Sequence, residues 1–136
     1  MQNQYRYRRA IQVSEFLSTL RERVTSGTAI VGIYGLGYIG LPLALRFSEV
    51  GILKLLQEKG ALIEYCDPHA PIFPKKCDYN FDLNSVTLDA EGITCYDCIV
   101  LARDHDAFDY PLLRSHARPL IDIRGKLAGA TNVIPA

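Results

Sequence analysis

The spacing of apolar positions along the chain changes several times, and each change predicts an element. In residues 10–26, AIQVSEFLSTLRERVTS, the apolar Val13, Phe16, Leu17, Leu20 and Val24 recur every three or four positions with charges opposite, predicting an amphipathic helix ended by Gly27. The preceding YRYRR reads as a solvated, frayed start rather than as a platform for stacked bases. AIVGIYG, residues 29–35, is a short β-branched run closed by glycine and predicts a buried strand. A helix follows from about Tyr38 toward Lys59, then a strand at 61–68 that Pro68 stops. Residues 69–94 read as mostly irregular, with SVTL (85–88) the one strand-like stretch. YDCIVLAR (96–103) predicts a strand, FDYPLLRSHA (108–117) a short helix with Pro111 in its first turn, PLIDIR (119–124) a strand, and TNVIPA an edge strand. Strands alternating with helices imply an α/β fold: a single Rossmann-like domain (29–136) with a mostly parallel sheet and helices on both faces, preceded by the amphipathic helix and tail (1–28).

Composition narrows the function classes. At 136 residues the chain has one domain's length, enough to bury roughly two thirds of its unfolded surface. Lys plus Arg and Asp plus Glu each total 15 with no long run of one sign, which argues against a nucleic-acid face. Apolar stretches are interrupted well before the roughly 20 residues of a membrane span, and no signal-peptide block opens the chain, so a cytoplasmic location is expected. Of the cysteines Cys66, Cys77, Cys95 and Cys98, the CYDC pair has the gap of a zinc half-site. Its would-be partners are ten or more residues apart in sequence, and Cys98 opens the apolar run CIVLA, so reduced, buried thiols are the better expectation and no metal ligand is assigned.

The chemistry concentrates at one turn. Gly35, Gly37 and Gly40 form G-x-G-x-x-G between a predicted strand and a predicted helix. In that context the glycines permit a tight turn, close approach of a pyrophosphate and helix–strand packing, with free N–H groups at the helix start facing the anion. The acidic residue expected about 20 positions later, to hold ribose hydroxyls, is out of register. Glu64 lies within the second strand, and Asp67, at its end, follows Gly40 by 27 positions. A helix over 38–59 would be roughly 33 Å long, against about 17–20 Å for a strand, so it overshoots the sheet or breaks at Gly51.

Residues 14–51, SEFLSTLRERVTSGTAIVGIYGLGYIGLPLALRFSEVG, resemble the amino-terminal, NAD-binding start of the UDP-glucose/GDP-mannose dehydrogenase family, notably its members acting on UDP-N-acetylglucosamine and UDP-N-acetylgalactosamine. Residues 52–136, with LLQEKGALIEYCDPHAPIFP, YDCIVLARDHDAFDY and PLIDIRGKL, resemble the same family's carboxy-terminal, UDP-binding domain, with a join near Ser48–Ile52. The resemblance implies two NAD-dependent oxidations of a sugar C6 hydroxyl through a cysteine thioester. It also implies that most of the first domain and all of the helical middle are missing here. The family's cysteine sits in a glycine-rich context before a proline, and none of the four cysteines has those neighbours. No catalytic residue is therefore assigned, since acyl chemistry needs an activated nucleophile. By the same resemblance Gly35, Gly37 and Gly40 match the NAD turn, and Asp122 and Arg124 match a D-x-R whose arginine is associated with the UDP-sugar site. Two apart on a strand, that pair is expected to share a face, either at the ligand or as a structural ion pair. Asp104 and His105 match a DH after the third strand and are expected to shape a loop, while His69 and His116 carry no motif and are expected at the surface.

The expected function is binding of NAD or a UDP-type nucleotide without turnover. The alternatives are an interaction module that forms a homo-oligomer or pairs with relatives through helix 10–26, and an active NAD-dependent UDP-sugar oxidoreductase.

Overall fold

The computed structural model describes residues 2–35, 43–73 and 82–135. Helix α1 (Gln2–Thr25) precedes strand β1 (Ile30–Tyr34), helix α2 (Leu43–Glu58) and strand β2 (Leu62–Cys66). Then come α3 (Ala90–Cys95), β3 (Cys98–Leu101), α4 (Tyr110–His116), β4 (Leu120–Asp122) and β5 (Val133–Pro135). The five strands form one parallel sheet in the order β2-β1-β3-β4-β5. Among the described residues no helix is long and apolar enough to cross a membrane.

Strand alternation divides the core into two. Val31, Ile33, Cys98 and Val100 point to the face where α2 contributes Leu53 and α1 contributes Leu20 and Val24. Tyr34, Ile99, Leu101, Leu120 and Val133 point to the opposite face, where α3 contributes Ile93 and α4 contributes Leu113. All four residues of β3 are buried because helices cover both of its faces, and each such side chain contributes about 1.5–3 kcal/mol. Since β1 pairs with β2 on one side and β3 on the other, the chain reverses direction across the sheet between β1 and β3. In open α/β sheets that crevice, at the carboxyl ends of the strands, is where ligands bind.

Several local expectations need correction. Helix α1 begins at Gln2, not near residue 10: the Gln- and Arg-rich start contains no proline or glycine, so nothing stops the helix there. It does end at Gly27, whose φ of 71° is the left-handed conformation of a helix stop, with Gly27 N–H on Val24 and Thr28 N–H on Arg23. Its last turn is fastened to the sheet by Arg23, which pairs with Asp97 at 2.6 Å, while the other Asp97 oxygen accepts the Ile30 N–H at 2.8 Å.

Residues 85–88 make no strand. Only Ser85 bridges Tyr65 and only Asn84 bridges Ile72, as a rim along β2. Within the stretch expected to be irregular, α3 forms a single helical segment because Asp89 caps it, accepting the Gly92 N–H at 2.6 Å. Strand β4 ends at Asp122, two residues earlier than expected, for a reason visible at the site below. Helix α2 passes through Gly51 unbroken, and the 36–42 stretch in which its start was expected lies outside the described residues, as do Gly37, Gly40 and Cys77.

Gly51 is exposed and a β-carbon there would meet nothing within 4 Å. Gly51→Ala is therefore expected to stabilise the domain by about 0.5–1 kcal/mol, read as a higher urea midpoint at unchanged m-value.

Candidate functional site

At the end of β1 the Tyr34 carbonyl accepts both the Ala102 N–H (3.0 Å) and the Arg103 N–H (3.3 Å), while Gly35 N–H donates to the Cys66 carbonyl (2.9 Å). Gly35 is thus strung between the ends of β2 and β3 with φ of 81°, and a β-carbon on it would collide with the Arg103 carbonyl group. Both facts demand glycine. The first glycine of the motif brings the two neighbouring loops to one point.

Those loops carry polar chemistry. Asp67, directly after β2, is 2% exposed. Its Oδ1 accepts the His69 N–H at 2.8 Å and its Oδ2 lies 3.5 Å from His105 Nε2. The imidazole of His105, 11% exposed, also packs edge-on against Phe108 (5.4 Å) and against the His69 ring (4.9 Å). Its Nε2 is buried and, among the described residues, has no partner within hydrogen-bond geometry. The main chain of His105 is held by Tyr110, whose hydroxyl accepts the His105 N–H and donates to the His105 carbonyl, both at 2.9 Å.

The D-x-R pair is split. Asp122, almost fully buried, accepts the Arg124 backbone N–H on Oδ1 (3.0 Å) and the Leu127 N–H on Oδ2 (2.7 Å), bending the chain out of β4. Arg124 is therefore not on the strand, and the two side chains do not share a strand face as expected. The Arg124 guanidinium, 49% exposed, instead donates from Nε to Asp104 Oδ1 at 3.3 Å. Asp104 is held below the ordinary carboxylate range, first by its own backbone N–H and then, against a desolvation cost, by Arg124. Lys126 sits over the Tyr110 ring at 5.4 Å.

The fold thus gathers Gly35, Asp67, Asp104, His105, Asp122 and Arg124 at one end of the sheet. His69 is exposed as expected, yet it joins the group, because Pro68 and the Asp67 carboxylate turn the chain back across β1. A D-P-H run after a strand was the available signal; its partner, 36 positions on, was not.

Cys95 and Cys98 lie apart from this chemistry, whereas Cys66 directly precedes Asp67 and its carbonyl accepts the Gly35 N–H. Cys98 is buried on β3 and burial pushes its thiol up to about 12, while Cys66 is pushed up to about 11 by burial and then by Asp67. Cys95 is exposed at the opposite end of the sheet, in a cleft of about 440 Å³ lined by Phe16, Arg23, Asp97 and Arg118 among others. That cleft lies at the amino ends of the strands, and within it Arg23 is already neutralised by Asp97.

Residues 32–128 match the model of the UDP binding domain of the UDP-glucose/GDP-mannose dehydrogenase family. The chain belongs to this family. The bounds of the match, 32–128, take in both the glycine turn and Ser48–Ile52. The chain is also 39% identical over 79 residues to a UDP-N-acetyl-D-mannosamine dehydrogenase of Methanococcus maripaludis (strain C7 / ATCC BAA-1331), an alignment covering 57% of this chain and 16% of that protein. This UDP-binding-domain chain thus corresponds to a minor part of a much longer relative.

Removing the Asp122 carboxylate would leave two backbone N–H groups, one part-buried and one buried, without their acceptor, at up to about 1–3 kcal/mol each. Asp122→Ala is expected to lower unfolding free energy by about 2–4 kcal/mol, whereas Arg124→Ala should stay within about 0.5 kcal/mol of the parent in chemical denaturation.

Proposed function

We propose that this chain binds a nucleoside diphosphate of the UDP type at the carboxyl ends of β1, β3 and β4, and that it does not oxidise a sugar by itself. The observation that carries the reading is Arg124. Its guanidinium stands half exposed beside the switch point, held among the described residues by one carboxylate, in a domain whose family model is a UDP-binding one. An exposed guanidinium offers the paired N–H donors that suit a diphosphate. The G-x-G-x-x-G sequence that opens with Gly35 is of the kind that lets a phosphate come close to the main chain.

Asp67 supports the site from behind. With its oxygens on the His69 N–H and toward His105, it orders the loops around the ligand, and a ribose contact would require it to leave both. Asp122 sets the turn from which Arg124 projects. That the bounds of the UDP-binding-domain match include the glycine turn supports UDP over NAD as its ligand.

The described thiols support the absence of turnover. Cys66 and Cys98 are buried and held protonated, and Cys95 lies at the far end of the sheet from Arg124. None of these three described cysteines offers a thiolate to a ligand at the glycine turn.

Calorimetric titration of the purified chain with UDP, NAD and UDP-N-acetylhexosamine tests this. UDP and the UDP-sugar are expected to bind, NAD more weakly or not at all, and Arg124→Ala to weaken UDP by about 10-fold or more. No NADH should form when NAD and UDP-N-acetylhexosamine are both supplied. Steady NADH production would refute the claim of no turnover, and heat from NAD alone would return the glycine turn to dinucleotide binding.

A further inference from the structure

We infer that Tyr110 is a positioning residue of the nucleotide site, acting through Asp104 on Arg124; the inference rests on the UDP-binding reading above. Tyr110 opens α4, so its ring is fixed by the helix that Asp109 caps, the Asp109 carboxylate accepting the Leu112 N–H at 2.9 Å. From there its hydroxyl brackets His105, taking the backbone N–H and giving its own proton to the same residue's carbonyl. That double contact requires a neutral phenol, and burial shifts its ionisation upward, so both roles persist at neutral pH.

His105 is the covalent neighbour of Asp104, and Asp104 holds the Arg124 Nε. Fixing the main chain at 105 therefore fixes where the Asp104 carboxylate stands. The face of the same Tyr110 ring carries the Lys126 ammonium, two residues beyond Arg124. One side chain thus ties the loop after β3 to the loop after β4, the two loops between which Arg124 is suspended. Deep packing does not need the hydroxyl: Phe108 meets the Tyr110 ring edge-on at 6.3 Å, a contact that phenylalanine keeps.

The variant that isolates the hydroxyl is Tyr110→Phe, which preserves the ring, its contact with Phe108 and its contact with Lys126. Two readouts decide. In calorimetry with UDP, Tyr110→Phe is expected to bind about 3- to 10-fold more weakly than the parent, the range of one lost hydrogen bond, and to add little in the Arg124→Ala background. In an NMR titration of the side-chain carboxyl carbons without ligand, the Asp104 midpoint should rise toward that of an ordinary carboxylate, because the slackened loop loses both the backbone and the Arg124 contacts that depress it. The sign follows from the depression: the Asp104–Arg124 link is present above the ordinary carboxylate pKa and is lost as pH falls through the lowered one, so the variant loses it at higher pH.

A variant with parental UDP affinity and a parental Asp104 midpoint would overturn the inference. A parent chain that binds no UDP would instead overturn the nucleotide reading, and the Asp104 midpoint alone would then decide whether Tyr110 sets the Arg124 pair. A weakened affinity that persists undiminished in the Arg124→Ala background would also count against it, since the effect would not pass through that arginine.

Discussion

The backbone of Gly35 lies so close to the Arg103 carbonyl that no β-carbon fits between them, and the arrangement of the site depends on that approach. It holds the ends of β1 and β3 together where the sheet reverses its winding, with the Tyr34 carbonyl shared by two N–H groups of the departing loop. Because β2 flanks β1 on the other side, Asp67 and His105 then face each other across the end of β1. Any wider separation at Gly35 would pull these loops apart. The first glycine is required by the protein's own packing, before any ligand is considered.

The two ends of the sheet do different work. At the amino ends Arg23 and Asp97 pair closely and take up the Ile30 N–H, so their charges are spent on fastening α1 to the sheet. At the carboxyl ends the Arg124 guanidinium has, among the described residues, one long contact to an exposed carboxylate, and Lys126 rests on an aromatic face. Charges that are closely paired and fully engaged serve the fold; charges that are loosely held can be turned to a ligand at little cost.

Much of the architecture was legible because it is written in local patterns. The continuous apolar runs of 29–35 and 98–101, the Gly27 stop and Pro111 in the first turn of α4 each act over a few residues, and each appears where the pattern put it. The alternation of strands and helices carried the parallel sheet. What escaped the sequence was set by contacts distant along the chain or by a side chain competing with the backbone. Asp122 ends β4 because its carboxylate captures the N–H groups of 124 and 127, which no count of apolar positions reveals. Helix α3 is too short for a period and contains Gly92, which reads as a breaker unless Asp89 is recognised as its cap. The meeting of His69 with His105 depends on β1 lying between β2 and β3, a fact of topology.

The central claim is that a UDP-type nucleotide sits at the carboxyl ends of the strands, over Gly35 and beside Arg124. Chemical-shift mapping of the isotope-labelled chain during UDP addition tests it most directly. The account predicts the largest amide shifts at Gly35, at 103–105 and at 123–127, with Thr94–Asp97 and Arg118 unmoved. Shifts concentrated instead in the cleft beneath α1, with Gly35 and Arg124 silent, would contradict it.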